Sequence, residues 1–328
     1  MTEADSSPVR AARPVSDKTS ASPTVAILLS VHNGEAFLEA QLDSFLQQQH
    51  KNWLLLWRDD GSSDGSCAIV QAFAARCAPE QCRQVREPYI SAIGIAASYR
   101  SLLDHVPPDC LVAFSDQDDV WFPDKLARGV AALEACADDR PALYCARQML
   151  ADRNLSPLGL SPALKAPVNC LSALAQNIAT GCTVLLNASA CRLLKATAPP
   201  PPLILHDWWA YLTVTAVGGY ICVDERPALL YRQHGANAVG SPPSWLQRGY
   251  AALRRGPGSF MRIFRSNVEW LLARRAFLSP ATAAALEAVQ RGLSGSILNR
   301  LVLLRRFPAL TRAGWGERMM FRLWFLCG

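Results

Sequence analysis

The densest chemistry in the sequence is a group of three carboxylates within four residues, Asp116, Asp118 and Asp119. They follow the apolar run 110–114, whose length and polar borders predict a buried strand of a parallel sheet. Ligands of open α/β sheets bind at the carboxyl ends of such strands, and like charges this close titrate poorly together without a cation between them. Carboxylates, substrate phosphates and water are the usual ligands of Mg²⁺. The group therefore predicts a divalent-metal site, with a solvated acidic turn before a helix starting near residues 123–124 as the alternative.

Two further loops carry polar side chains directly after predicted strands. Ser30, His32 and Asn33 follow the first strand, and Asp59 and Asp60 follow the second. An Asp-Asp-Gly-Ser sequence commonly forms a turn for local reasons alone, whereas an Asp after the second strand of a nucleotide-binding sheet lies where a base or ribose is bound. The sequence contains neither the glycine-rich dinucleotide fingerprint nor the P-loop. A bound diphosphate would therefore need a metal to balance its charge.

Alternating strands and amphipathic helices must position these loops. The alternation predicts right-handed crossovers and an α/β fold, with a mostly parallel sheet covered by helices on both faces. The predicted strands of the first half are 24–30, 53–57 and 110–114, and its predicted helices are 35–49, a segment that includes Ile69, Val70 and Phe73, and 92–104. In the second half we predict strands at 141–146, 182–186 and 228–230, helices at 187–198 and 208–217, and a loop over 147–168.

Six short blocks in this order resemble the signature blocks of family 2 glycosyltransferases, whose fold is the GT-A fold. Together they span about residues 24–240, and the D-Q-D-D-V-W block is typical of the rhamnosyltransferase-like branch. The blocks are residues 29–34 (L-S-V-H-N-G), 59–65 (D-D-G-S-S-D-G), 116–121 (D-Q-D-D-V-W), 176–183 (Q-N-I-A-T-G-C-T), 206–209 (H-D-W-W) and 231–237 (Y-R-Q-H-G-A-N).

The resemblance implies roles for individual residues. Asp60 would contact the base, and Asp116 and Asp118 would meet the metal and the sugar diphosphate. Asp119 could instead be the carboxylate nearest the metal. The family more often has an aromatic residue or Thr at the position of His32. The nucleotide-sugar site implied in this way comprises Ser30, His32, Asn33, Asp59, Asp60, Asp116, Gln117, Gly181, Trp208 and Arg232.

A proline run at residues 199–202 cannot be helical and is expected to act as a stiff connector before the next helix. It presents His206 and Asp207 at the start of that helix. Asp207 has an ordinary explanation as a helix N-cap, but the resemblance places the catalytic base here. Because this chain has His206 where the family more often has Glu, His206 is a rival base. Trp208 and Trp209 are either platforms for a sugar ring or core residues.

The last block contributes two candidates. His234 could be a further metal ligand, completing a predicted metal set of Asp116, Asp118, Asp119 and His234, although a solitary His is more often structural. Arg232 could pair with the diphosphate through its planar guanidinium.

The charge of the chain is unevenly distributed. Its net charge is +6, but residues 241–328 contain 14 arginines, no lysine and three glutamates. This asymmetry predicts a neutral-to-acidic catalytic body and a basic end that binds a partner or a membrane. The end also contains apolar stripes at helical spacing. Basic amphipathic helices with tryptophans are typical of interfacial membrane binding, while packing on the catalytic domain is the alternative. The stripes are Phe260, Ile263, Phe264, Val268, Leu271 and Leu272, then Ile297, Leu298, Leu301 and Val302, then Trp315, Met319, Met320, Leu323, Trp324 and Phe325.

Residues 1–23 are rich in Ser, Pro and Ala and predict a disordered tail, in which we recognise no secretory signal. The sequence lacks the run of about 18 apolar residues that a spanning helix requires. Its 11 scattered cysteines, with no CxxC pair, favour a reducing cytosol over a disulfide framework or a zinc site.

These observations predict an inverting glycosyltransferase that depends on Mg²⁺ or Mn²⁺. It would comprise a disordered tail (1–23), a GT-A domain (24–240) and a basic helical region (241–328). The donor would be a nucleotide-diphospho-sugar, with dTDP-L-rhamnose suggested by the nearest branch, and the acceptor a hydroxyl of a glycan or lipid-linked glycan. We expect a cytoplasmic protein at the inner face of the membrane and no nucleic-acid partner. A sugar-nucleotidyltransferase and a non-catalytic membrane-associated scaffold are the alternatives.

Overall fold

The fold was analysed in a computed structural model that describes residues 22–86, 92–136, 138–164, 167–235 and 245–328, with the backbone alone for residues 245–256. The predicted disordered tail lies almost entirely outside the described residues, as does the predicted domain boundary at residues 240–241.

The first half of the chain forms the predicted alternation of strands and helices. Four parallel strands, β1 to β4, take the order β3-β2-β1-β4. Three helices, α1 to α3, connect them, and α3 begins three residues later than predicted. The strands are β1 (Val25–Val31), β2 (Trp53–Asp59), β3 (Cys82–Gln84) and β4 (Leu111–Ser115), and the helices are α1 (Leu38–Leu46), α2 (Ser66–Ala74) and α3 (Ile95–Asp104).

The second half extends this into a mixed nine-stranded sheet. Strand β8 pairs antiparallel with both β4 and β6, while β9 runs parallel to β6 and antiparallel to the short β5. The elements are β5 (Val120–Trp121), α4 (Lys125–Glu134), β6 (Ala142–Ala151), β7 (Pro157–Leu160), α5 (Cys170–Ala175), a 3-10 turn (Gly181–Thr183), β8 (Leu185–Leu186), α6 (Ala188–Thr197), α7 (His206–Ala216) and β9 (Tyr220–Arg232).

Three local predictions for this half need correction. The loop predicted over 147–168 contains the end of β6 and the hairpin strand β7, because β6 pairs with β7 on one side and β9 on the other. The strand predicted at 228–230 is the end of the 13-residue β9. The strand predicted at 182–186 shortens to two residues, since a 3-10 turn occupies Gly181–Thr183. Helix α6 begins as predicted, capped by the Asn187 side chain.

Alternation along the central strands gives the sheet two buried faces. Leu28 and Phe114 point to one core cluster, and Ile27 and Ala113 point to the other. Strands buried on both faces read as continuous apolar runs, which explains why the sequence signal for β1, β2 and β4 was so clear. None of the 11 cysteines, all of which are described, forms a disulfide.

Four helices follow the sheet: α8 (Trp245–Leu272), α9 (Pro280–Leu293), α10 (Ile297–Arg306) and α11 (Trp315–Cys327). Phe264, Val268 and Phe321 belong to the same core cluster as Phe114 of β4, and α8 packs against α5, so these helices extend the core on that side of the sheet. The Trp270 indole N–H also donates to the Pro199 carbonyl at 2.9 Å. The packing alternative therefore holds for the inner faces of these helices. No helix among the described residues is long and apolar enough to span a membrane.

The second predicted stripe behaves differently. Ile297, Leu298 and Val302 are 62%, 72% and 61% exposed, while Leu303 and Leu304 carry the packing of α10. Helix α10 thus presents an apolar face outward.

Candidate active site

Strand register brings the predicted polar loops to one edge of the sheet. Val31 of β1 pairs with Asp59 of β2, and Leu29 pairs with Ser115 of β4. The loops that carry His32, Asp60 and Asp116 therefore leave the sheet side by side. Strand β9 ends beside them, because its Leu230 pairs with Val120, and Arg232 and His234 follow directly.

Asp118 and His234 form the most accessible pair at this edge. His234 Nε2 lies 2.8 Å from Asp118 Oδ2, and the two side chains are 11% and 15% exposed, respectively. The ring of Phe37 packs against the imidazole at a centroid distance of 4.6 Å. A carboxylate oxygen and an imidazole nitrogen at this spacing are suitable donors for one divalent cation.

Asp119 is buried and Asp116 is half-buried, and the two form a second group with Cys182. One donor atom from each of the three lies within 4.8 Å of the others. Burial raises the pKa of Asp116 to about 7, helped by the charges of Asp118 and Asp207. Asp119 is fully buried, its pKa is raised for the same reason, and its Oδ1 accepts the backbone N–H of Arg232 at 3.2 Å. The four predicted metal ligands thus divide into the Asp118–His234 pair and a neighbouring group in which Asp119 is buried and Asp116 is half-buried.

A lysine that the sequence analysis missed lies near these carboxylates. The Lys125 side chain is fully buried, and its Nζ lies 3.0 Å from the centroid of the Trp121 ring. Burial lowers the pKa of Lys125 well below its usual value, although the nearby Cys182, Asp119 and Asp116 favour its charged form. Lys125 is therefore a buried amine whose charged form is favoured by the neighbouring carboxylates. Its only sequence signal was its position four residues after the D-Q-D-D-V-W block.

Asp60 lies in a closed cradle after β2. Its Oδ1 accepts from Arg58 Nη1 at 2.5 Å and from the Ile93 N–H at 2.8 Å, and its Oδ2 accepts from the Gly94 N–H at 2.8 Å. Burial alone would raise the pKa of Asp60, but hydrogen bonds from Ile93, Arg58 and Gly94 together lower it. The carboxylate therefore fixes the start of α3 against the end of β2, with Arg58 itself 1% exposed.

The loop after β1 is held mainly through its backbone. The Gln117 side chain accepts from the His32 N–H and donates to the His32 carbonyl, both at 2.9 Å, and so ties this loop to the one after β4. The His32 ring is exposed, and its Nδ1 lies 3.1 Å from the Asp60 carbonyl. Both Asp59 oxygens accept the Ser62 N–H at 3.2 Å, so Asp59 caps its own turn.

Two other predicted residues of this edge have modest contacts. Asn33 adopts a left-handed conformation with φ of 47°, and its Oδ1 accepts the Ser63 N–H at 2.8 Å. Ser30 is half-buried at the end of β1. Both lie beside the carboxylate loops without a direct contact to Asp116 or Asp118 among those identified.

Asp207 lies in the first turn of α7, one residue after its start at His206, and the N-cap position belongs to Leu205. Its two carboxylate oxygens accept the Gly181 N–H at 3.1 Å and the Trp208 N–H at 2.6 Å. Burial nevertheless raises the pKa of Asp207 to about 6, because it outweighs these hydrogen bonds. A carboxylate with such a pKa is ionised at neutral pH and still basic enough to accept a proton.

His206, the rival base, is a buried aromatic residue. Its ring stacks on Tyr99 at 3.6 Å and meets Phe114 edge-on at 4.8 Å. Neither imidazole nitrogen has a hydrogen-bond partner among the described residues, and burial lowers the pKa of His206 to about 3. The ring is therefore neutral and held by packing. Gly181 lies against it, since a Cβ there would be 2.8 Å from His206 Nε2.

The remaining predicted residues, Trp208, Trp209 and Arg232, have structural contacts. The Trp208 indole N–H donates to the Ala173 carbonyl at 2.7 Å, and Trp209 is a fully buried core residue. Arg232 is 5% exposed, donates from Nε to the Asp118 carbonyl at 2.8 Å, and lies 4.6 Å from the centroid of the Phe37 ring. Its guanidinium therefore supports the backbone of the loop that carries Asp118.

An open groove of about 840 Å³ runs beside the site, between the start of α3 and the proline run. Ile93 and Gly94, which bind Asp60, line one side, and Ile204, two residues before His206, lines the other. The carboxylates do not line it. The groove therefore connects the surroundings of the Asp60 cradle with the start of α7.

A parallel sheet that extends into antiparallel strands, with carboxylates at the shared edge, is the arrangement of the GT-A glycosyltransferase fold. Residues 26–149 match the family model Glycosyl transferase family 2. The chain therefore carries a family 2 glycosyltransferase domain and is a glycosyltransferase.

Relatives support this assignment. The chain is 24% identical over 234 residues to the dTDP-rhamnosyl transferase RfbG of Shigella flexneri, covering 65% of this chain and 74% of that protein. It is 33% identical over 112 residues to the putative glycosyltransferase EpsE of Bacillus subtilis, covering 34% of this chain and 39% of that protein.

Solved structures show the same fold. TarS 1-349 of S. aureus in complex with UDP-GlcNAc superposes with a TM-score of 0.58 at 16% identity, covering 88% of this chain and 78% of that one. GalNAc-T7 with UDP, GalNAc and Mn2+ superposes with a TM-score of 0.50 at 9% identity, covering 78% and 51%.

Proposed function

We propose that this glycosyltransferase is inverting and metal-dependent, and that it transfers a sugar from a nucleotide-diphospho-sugar to a hydroxyl of a growing cell-surface glycan. One observation carries the proposal. The 3-10 turn Gly181–Thr183 joins two parts of the site: the Gly181 N–H binds Asp207, and the Cys182 thiol lies within 4.8 Å of a donor atom of Asp116 and of Asp119. Asp207, the proposed base, is thereby held near the carboxylates of Asp116 and Asp119, which are suited to binding a diphosphate together with its cation.

Asp118 and His234 are the residues that would hold Mg²⁺ or Mn²⁺. They fit this role because a carboxylate oxygen and an imidazole nitrogen lie 2.8 Å apart in a site that remains partly exposed. The bound cation would neutralise the departing diphosphate. Asp116 lies beside this pair, and the charge of Asp118 raises its pKa. A cluster of like charges of this kind favours cation binding. The Mn²⁺ bound by GalNAc-T7, which shares the fold, is consistent with this choice of metal.

Asp207 is the proposed base. Its carboxylate is fixed by the Gly181 and Trp208 N–H groups, which leaves it oriented before an acceptor arrives. It takes the proton of the acceptor hydroxyl as that oxygen bonds to the anomeric carbon, while the bond from this carbon to the diphosphate oxygen breaks on the opposite face. The configuration therefore inverts. Base help of this kind contributes about 10²–10⁴-fold in rate.

L-Rhamnose is the proposed donor sugar, because a relative that aligns over 65% of the chain is named a dTDP-rhamnosyl transferase. Asp60 and His32 are the residues that we propose for contact with the nucleotide base, because they follow β2 and β1 at the shared edge of the sheet. Arg58, Ile93 and Gly94 already donate hydrogen bonds to the Asp60 carboxylate. We therefore propose that the nucleotide base contacts the remaining acceptor positions of this carboxylate and the neighbouring backbone.

A thermal-shift panel tests the proposal. The full chain would be heated with dTDP-rhamnose, UDP-GlcNAc, UDP-glucose or GDP-mannose, with and without Mn²⁺. A ligand at 100 times its Kd stabilises the folded state by about 2.7 kcal/mol. We expect the largest shift with dTDP-rhamnose and Mn²⁺ together. No shift with any nucleotide sugar would contradict the function, and release of pyrophosphate instead of a nucleoside diphosphate during turnover would indicate a nucleotidyltransferase.

A further inference from the structure

Helices α10 and α11 each expose a stripe of apolar side chains. On α11, Trp315, Met319 and Leu323 are 79%, 50% and 58% exposed and follow one another at four-residue spacing. On α10, Leu298 and Val302 are 72% and 61% exposed at the same spacing. Residues four apart lie on the same side of a helix. These five residues form two exposed stripes, one on each helix, which we together call the α10–α11 face.

This face is not a poorly packed part of the core. Each helix already buries a separate inner stripe, Leu303 and Leu304 on α10 and Phe321 and Phe325 on α11. The Arg300 guanidinium locks the helices together by donating to the carbonyls of Leu293 at the end of α9 and Phe325 at the end of α11, at 3.1 Å and 3.3 Å. The buried inner stripes and the Arg300 hydrogen bonds therefore fix the two helices in place and leave the α10–α11 face exposed.

The charges beside the face have one dominant sign. Arg318 and Arg322 directly precede Met319 and Leu323, and both are exposed. Arg305 and Arg306 are exposed at the end of α10. The single acidic residue of 294–328 is Glu317, and its carboxylate is engaged, with Gln176 Nε2 at 3.3 Å.

We propose that the α10–α11 face binds the surface of an anionic lipid bilayer. An apolar helical face with a tryptophan and flanking arginines is the composition of helices that lie in a bilayer interface, where Trp is enriched. Anionic headgroups complement the arginines. A second copy of the chain fits less well, because a two-fold contact pairs the same patch with itself and would place these arginines against one another.

Vesicle co-sedimentation of the full chain tests the proposal. We expect binding to phosphatidylglycerol vesicles, weaker binding to phosphatidylcholine vesicles, and loss of the difference in high salt, because salt screens the arginines. The variant Trp315→Ser/Met319→Ser/Leu323→Ser should lose binding to both vesicles. Arg318→Gln/Arg322→Gln should bind phosphatidylglycerol vesicles about 25-fold more weakly, since each arginine near an anionic surface contributes about fivefold.

Matched controls lie on other surfaces. Leu158→Ser removes a side chain that is 60% exposed on β7, and Arg140→Gln/Arg192→Gln removes two arginines whose side chains are 52% and 60% exposed. Both should bind vesicles like the parent, and melting curves should show that every variant is folded. Parental binding by the triple variant would overturn the proposal. So would a parent that ignores vesicles and is dimeric by light scattering, with a monomeric triple variant, because the face would then be a self-association surface. The assay does not require transfer activity, so its outcome is independent of the proposed reaction.

Discussion

His234 Nε2 and Asp118 Oδ2 lie 2.8 Å apart, although 116 positions separate the two residues in the chain. The contact joins the loop after β4 to the end of β9 and forms a donor pair whose Asp118 lies in the same loop as Asp116 and Asp119. The pair is therefore assembled by the fold before any ligand binds. This geometry gives the metal proposal its sharpest test.

Asp118→Asn should abolish metal-dependent donor binding while leaving the fold intact. The substitution keeps the size of the side chain but removes the negative charge that a hard cation requires. Isothermal titration with dTDP or UDP, with and without Mn²⁺, measures the effect. Asp124→Asn is the matched control, because its side chain is 40% exposed in a salt bridge with Arg128. Metal-dependent binding by Asp118→Asn equal to that of the parent would place the cation elsewhere.

Asp207→Asn should reduce transfer by about 10²-fold or more, the usual contribution of a general base. Donor binding should be nearly unchanged, and the melting temperature should stay close to that of the parent, because relief of a buried charge offsets the loss of one acceptor for the Gly181 or Trp208 N–H. Single-turnover transfer and calorimetry measure the two effects.

His206→Phe separates the two residues of the H-D pair. Phenylalanine keeps the stacking on Tyr99 and the edge contact with Phe114, and it lacks any proton acceptor. We expect transfer within about tenfold of the parent, with His206→Ala destabilised because it leaves a cavity of the kind that typically costs about 3–5 kcal/mol for a large aromatic side chain. A His206→Phe variant as inactive as Asp207→Asn would make His206 the base.

The pH dependence of transfer should follow the pKa of Asp207. Since burial raises that pKa to about 6, the ionised base is lost as the pH falls through 6, and the rate of the chemical step should fall with it. Stability should change in the opposite sense. A carboxyl whose pKa is higher in the folded than in the unfolded chain favours folding when protonated, so this contribution is lost as the pH rises from about 4 to above 6. Rate and melting profiles of the parent and Asp207→Asn between these values check both signs.

Arg58→Met should destabilise the protein by about 3–5 kcal/mol, because it leaves the buried Asp60 carboxylate without its cation. The 2.5 Å contact between them is almost fully buried. Urea unfolding measures the loss, and donor binding should weaken because Asp60 holds the start of α3. Arg58→Met/Asp60→Asn should recover part of the stability without recovering binding. Equal stability of the single and double variants would show that the pair is not coupled.

The sequence was sufficient for β1, β2 and β4 because these strands are buried on both faces and form unbroken apolar runs. It did not predict β3, a three-residue edge strand whose residues are only half-buried. It was insufficient for β7, whose residues Leu158 and Leu160 are exposed and show no burial pattern. The positions of Cys182 and Lys125 next to the carboxylates could not be predicted either, since they depend on the pairing of β8 with β4 and on where α4 begins. Local periodicity carries no information on such long-range contacts.

For the outward stripe on α10, the sequence left membrane binding and packing on the catalytic domain as alternatives. Helical spacing alone cannot tell which side of an amphipathic helix meets the core when the helix has apolar residues on two sides. Leu303 and Leu304 resolved that choice through packing against residues far away in the chain.

The turn Gly181–Thr183 has a consequence for the engineering of this enzyme. Gly181 contacts both His206 and Asp207, and Cys182 lies with Asp116 and Asp119, so the turn connects α7 to the carboxylates that follow β4. A chimaera that exchanges only α7 for the corresponding helix of another transferase would separate Asp207 from the Gly181 N–H that orients it. An exchange of this helix should therefore include the turn, as the continuous segment of residues 181–216.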